Sequence, residues 1–131
     1  MKIAVVSEDG INISQHFGRA TMYIVATVEN GKVIHREKRD KMGHQHFASA
    51  EGHASHGGKH GYDAESQSKH SMMAGAITDC QVLIAGGMGM GAYDSMKSYN
   101  IEPIITDVIS IDEAIDLYNK GKLTNLMERL H

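Results

Sequence analysis

Asn30-Gly31 lies between two β-rich runs, residues 22–28 and 32–39. Asn-Gly accepts the positive φ angles of a two-residue turn whose twist matches that of paired strands. The two runs are therefore expected to pair as an antiparallel hairpin. The second half of the chain has a different rhythm. Residues 81–85 and 103–106 are short apolar strand segments, and residues 92–99 and 111–120 repeat apolar side chains at helical spacing. Strands alternating with helices require right-handed parallel crossovers. With a first strand at Ile3–Val6 and a helix across residues 68–80, the order is strand, hairpin, helix, strand, helix, strand, helix. An α/β protein with a mixed sheet of five strands, covered on both faces by three helices, is predicted. In the last helix, Ser110 and Glu113 form a capping box and Gly121 supplies the stop.

Length and charge narrow the function classes. The 131 residues, 41% hydrophobic and 22% charged, suit one domain spanning 1–131. Thirteen basic against sixteen acidic residues leave no positive field for a nucleic acid or an anionic membrane. The single cysteine, Cys80, forms no internal disulfide and cannot alone supply the four thiolates that usually hold an iron–sulfur cluster. A cytoplasmic, soluble protein is expected, because the N-terminus lacks a signal-peptide core and no apolar run approaches the ~20 residues of a membrane span. The nine methionines read as flexible core filler.

A His-rich insertion at about 41–67 interrupts this pattern, with few apolar side chains to repay the entropy of ordering. His44, His46, His53, His56 and His60, with His70 beyond them, are candidate ligands for zinc, nickel, copper or iron, since neutral imidazole suits all four. A pH-sensitive tether is the alternative reading of the same residues.

Two further segments fall where open α/β sheets bind ligands, beyond the carboxyl ends of the strands. One follows the first strand and carries Ser14, His16, Phe17, Gly18 and Arg19; the other is Gly86-Gly87-Met88-Gly89-Met90-Gly91. If the strands preceding them are neighbours, the two loops face each other. Arg19 offers a fixed positive charge, His16 a ligand, and the glycine loop offers backbone N–H groups at a helix start, which together suit an anion. Gly87 to Ala92 also match the dinucleotide pattern G-x-G-x-x-A, with Asp107 twenty residues on, although little chain follows for a full dinucleotide fold. Glycines serving only a tight strand-to-helix turn explain the run equally well. Catalytic patterns are thin. No nucleophile elbow, zinc-protease helix or P-loop lysine occurs, and Cys80 is expected to be buried and unreactive.

The segments MKIAVVSEDG, ISQHFGRA, DCQVLIAGGMGMGAYDSMKSYNIEPIIT and IDEAIDLYNKGKL together resemble the dinitrogenase iron-molybdenum cofactor biosynthesis family, of the NifX, NafY and NifB C-terminal type. The likeness spans nearly the whole chain except the His-rich loop. It implies a three-layer α/β/α fold with a ribonuclease-H-like motif but no nuclease centre. It also implies a carrier and not an enzyme, binding a metallocluster of iron–molybdenum type or, as in the small orange-protein members, a molybdenum–copper sulfide. Its partners would be cluster donor or acceptor proteins. The cluster-facing positions so implied are Ser14, His16, Phe17, Gly18, Arg19 and Gly86 to Gly91, the crevice that topology also selects. Two alternatives remain: a transition-metal chaperone or sensor using the loop histidines, and a nucleotide-binding enzyme built on the glycine turn.

Overall fold

In the computed structural model, residues 1–41 and 75–130 are described. They form β1 (Lys2–Ser7), β2 (Met22–Glu29), β3 (Lys32–Asp40), β4 (Val82–Ala85), α1 (Met90–Ser98), β5 (Glu102–Ile105) and α2 (Ile111–Asn119). The hairpin forms as its turn residues dictate. Asn30 and Gly31 both take positive φ, 53° and 75°, and Glu29 pairs with Lys32 across the two-residue turn. One register shift between Thr27 and Val28 inserts Ile34 as an extra residue in β3.

The sheet order is β3-β2-β1-β4-β5, with β2 antiparallel to both neighbours and β1, β4 and β5 mutually parallel. This is the ribonuclease-H-like arrangement, and alternation along the strands gives it two cores. Ala4, Val6, Tyr23, Val25, Leu83 and Ile105 face α1, where Ala92 and Met96 close the layer. Ile3, Val5, Ile24, Ala26, Ile84 and Ile104 face α2, which contributes Ile111, Ala114 and Ile115. β1 is apolar almost throughout because both of its faces are covered. Met88 and Met96 are buried as filler, whereas Met90 and Met127 are exposed.

Helix ends follow local chemistry. The Ser110 hydroxyl accepts from the Glu113 N–H at 3.3 Å and starts α2, and Gly121 at φ +70° lies just past its end. α1 begins two residues before the expected Ala92, because Gly89 is already the extended cap residue at φ −84° and ψ 162°. Asn100 stops it in the left-handed region at φ 60°. The helix expected across 68–80 falls largely outside the described residues; at its described end Ile77 and Cys80 are buried, and the Cys80 N–H donates to Ile77 O.

Beyond α2 the chain does something its sequence does not announce. The Asn125 side chain accepts from Ile105 N at 3.0 Å and donates to Pro103 O at 3.3 Å, while Leu126 N donates to Ile105 O. These bonds close the outer edge of β5, which would otherwise present open pairing groups. A 3-10 turn at Met127–Arg129 follows, and Leu130 bridges to Met88 in the glycine loop.

Candidate functional site

Because β1 and β4 are parallel neighbours, the loops that follow them emerge at one rim of the sheet. The loop after β1 is built on its own polar side chains. The buried Ser7 hydroxyl donates to Asn12 O at 2.6 Å and accepts from Gly10 N, while Asp9 Oδ1 accepts from the N–H groups of Asn12 and Ile11. Those two amides, Asn12 first, hold the Asp9 carboxyl below the usual carboxylate range. Ile13 N bonds Ile109 O and Ile111 N bonds Ile11 O, so the same loop is also tied to the segment that enters α2.

The two expected loops do meet. Gly86 N donates to Ser14 O and Phe17 N donates to Gly87 O, each at 2.9 Å. The contact is backbone against backbone. A Cβ on Gly86 would lie 2.9 Å from the Cα of Gln15, and one on Gly87 would lie 2.6 Å from the Gln15 carbonyl oxygen. Gly86 and Gly87 are therefore glycines because the opposite loop presses on them. Ser14, Phe17 and Met88 are buried at this junction. The Ser14 hydroxyl bonds His16 O and Glu8 Oε2. Phe17 packs against Tyr23, ring centroids 6.4 Å apart, and carries the ammonium of the buried Lys41 at 4.4 Å over its face.

What remains in solvent is a smaller set: His16, Gly18 and Arg19 on one loop, Met90 and Gly91 on the other, with Gly89 half-buried between. Phe17–Arg19 form a 3-10 turn that starts from an extended His16 and lifts the side chain of Arg19 outward. In the glycine loop, α1 follows the cap residue Gly89 without any side-chain cap and without an acidic residue in its first turn. Its leading N–H groups lack intrahelical partners and carry the positive end of the helix dipole. The arrangement is suited to negative charge.

Other candidates lie elsewhere. Cys80 precedes β4, at the opposite rim, where burial pushes its thiol up to about 12. A groove of about 570 Å³ between β5 and the end of α2, lined by Glu102, Ile104, Tyr118 and Leu123, also lies away from the rim loops. His44, His46, His53, His56, His60 and His70 are outside the described residues; among the described residues no cluster of three or more His, Cys, Asp or Glu is placed to hold a metal ion. Two residues of this rim escaped sequence reasoning. Lys41 is visible only as the first residue of the insertion, and Arg129, whose Nη1 donates to Gly86 O at 3.4 Å, lies in a stretch with no periodic signal.

No described helix is long and apolar enough to cross a membrane. The chain is 28% identical over 123 residues to protein MJ0580 of Methanocaldococcus jannaschii, covering 94% of this chain and 89% of that one. Its fold is similar to the crystal structure of PH0822, with a TM-score of 0.68 and 20% identity over 95% of this chain and 96% of the other. It is similar too to the apo orange protein of Desulfovibrio gigas, with a TM-score of 0.63 and 18% identity over 95% and 91% of the two chains. The family model described as dinitrogenase iron-molybdenum cofactor matches residues 1–121, and with the sheet order and the paired rim loops in hand, the chain belongs to that family.

Proposed function

We propose that this protein is a non-catalytic carrier of an anionic metallocluster or cluster precursor, of iron–molybdenum or molybdenum–copper sulfide type, held at the rim between the loop after β1 and the glycine loop. The observation that supports the reading is the direct docking of the two loops, one of which carries His16 and Arg19 while the other leads into a helix start without a side-chain cap. The donor set fits such cargo. A metal–sulfide cluster brings its own sulfur and a net negative charge, so it calls for N–H groups and a guanidinium more than for thiolates. The one thiol in the chain is buried at the far rim with its pKa raised, which makes it a poor metal ligand. A reducing cytoplasm suits both that free thiol and an exposed sulfide cargo. The cargo would pass between a donor and an acceptor protein, and its release is easier from charge and hydrogen bonds than from metal–thiolate bonds.

Reconstitution with molybdate, copper or iron, and sulfide tests this. A coloured complex is expected with the native sequence and a much weaker one with H16A/R19A. Uptake unchanged by the double substitution removes the proposed placement.

A second reading has one observation in its favour. β3 runs parallel to β1, so its carboxyl end lies on the candidate rim, with Lys41 over the Phe17 ring, and the His-rich residues follow Lys41 in the sequence. The histidines of that sequence would bind a transition-metal ion in their own right. Deleting residues 44–60 discriminates: loss of nickel, zinc or copper binding by calorimetry, with cluster uptake intact, favours a metal-ion chaperone or sensor.

A further inference from the structure

The groove of about 570 Å³ between β5 and the end of α2 is built from a different part of the chain than the rim loops. Glu102 opens β5, at the end of that strand opposite the rim. The walls are fixed by the backbone. Gly121 turns the chain at φ +70°, Lys122 N donates to Leu117 O, and the Asn125 side chain pins the returning segment to Ile105 N and Pro103 O. Ile104, Tyr118 and Leu123 pack with the α2-side core and give the groove an apolar lining. Glu102, Tyr118 and Asn119 supply its polar groups, and among the described residues none of these three side chains is committed to a hydrogen bond or an ion pair. Partial burial, and then the Glu102 charge, raises the Tyr118 pKa, so the phenol keeps its proton. Of the lining residues only Glu102 is charged. The neighbouring Lys120 is bonded to Asp116, and neither it nor Lys122 lines the groove.

We propose that this groove is a second ligand site, for an organic cation: an ammonium or guanidinium group on an apolar stem, with Glu102 as its counter-charge. The stem lies against Ile104 and Leu123, the cation meets the Glu102 carboxylate, and the oxygens of Tyr118 and Asn119 accept from its remaining N–H groups. An anion would face a carboxylate with no positive charge beside it, and a purely apolar ligand would cover polar groups without pairing them. The volume falls in the range of small-molecule sites. Walls already bonded to β5 need little ordering when a ligand enters. The same chemistry comes from a free amine or guanidine and from a lysine or arginine side chain of a partner protein. The proposal stands apart from the carrier reading, since the two sites share no residue.

The test follows the NMR signals of the full chain during titration with n-butylguanidinium, and with butyrate as an anion of similar length. The cation is expected to shift Ile104, Gly121 and Leu123 with saturation, and butyrate to shift none of them. E102Q keeps the shape of an exposed side chain and removes its charge, and should weaken the cation about tenfold, the scale of one charge-assisted hydrogen bond. E102D should recover part of that loss. Tighter binding of a blocked arginine tripeptide than of butylguanidinium assigns the site to a basic side chain of a partner protein; the reverse order assigns it to a free small cation. Equal binding by E102Q and the native chain overturns the proposal, as does butyrate binding as well as the cation. Saturating shifts confined to residues outside the groove, or no saturation at all with the native chain, overturn it too. Circular dichroism confirms the fold of each variant, and E102D decides should E102Q fail to fold.

Discussion

Replacing Gly87 with alanine tests the junction on which the site depends. The added Cβ would lie 2.6 Å from the Gln15 carbonyl oxygen, a distance that two backbones cannot keep, so the loop after β1 must move away from the glycine loop. Two backbone hydrogen bonds hold the loops together there, Gly86 N to Ser14 O and Phe17 N to Gly87 O. Each contributes about 1 kcal/mol net. Overpacking a fitted contact costs about 1–3 kcal/mol more, depending on how far the neighbours can shift. The expected loss is about 3–5 kcal/mol, a substantial share of the roughly 5–15 kcal/mol that stabilises a domain. Urea unfolding followed by circular dichroism reads it as a lower midpoint at unchanged slope. Gly18 is the control: nothing lies within 4 Å of a Cβ built there, so G18A should stay within about 0.5 kcal/mol of the native chain. A G87A midpoint indistinguishable from that of G18A would refute the claim that these glycines exist for close approach.

Three further outcomes are expected. Asp79 is held well below the usual carboxylate range, first by hydrogen bonds from Arg39, which grips both of its oxygens at 2.6 and 2.8 Å, and then by Lys2. A folded-state pKa below the unfolded value gives stability that is present above about pH 4 and lost as pH falls; D79N should lower neutral-pH stability by about 1 kcal/mol and flatten the acid limb of the stability–pH curve. Cys80, buried and with its thiol raised to about 12, should resist iodoacetamide at pH 8 until the chain unfolds, and C80A should leave thiometallate uptake unchanged; rapid native labelling would contradict that burial. F17L removes both the Tyr23 ring contact and the surface beneath the Lys41 ammonium, and should cost about 1–3 kcal/mol in urea unfolding.

Most of the fold was legible because its signals are local. Asn30-Gly31 dictates its turn whatever surrounds it, and the Ser110 cap needs only the residue three positions on. The adjacency of β1 and β4 entered only as a condition, because element order and crossover handedness do not fix which strands become neighbours. The unread parts are nonlocal. No pattern in the glycine run says that Gln15 will press against Gly86 and Gly87, since that contact exists only after β1 and β4 have paired. The bulge at Ile34 shifts the β2–β3 register by one residue without any glycine or proline to mark it. Arg129 stayed invisible because a three-residue 3-10 turn is shorter than any period that hydrophobic patterning can reveal.

The glycine run is better understood as two pieces with different duties than as one phosphate-type loop. Its first two residues are buried and face inward, where the missing side chains let a second backbone dock. Its last two glycines, Gly89 half-buried and Gly91 exposed, bracket the first residue of α1, where a missing side chain lets a ligand approach N–H groups. The pattern G-x-G-x-x-A spans that boundary, which is why it resembles a dinucleotide fingerprint while its first glycine is already occupied by Gln15. A dinucleotide site needs that first turn close to the pyrophosphate, whereas a compact anion needs only the outer half. The packing of the inner half and the exposure of the outer half therefore suit the compact, highly charged cargo proposed above better than an extended nucleotide.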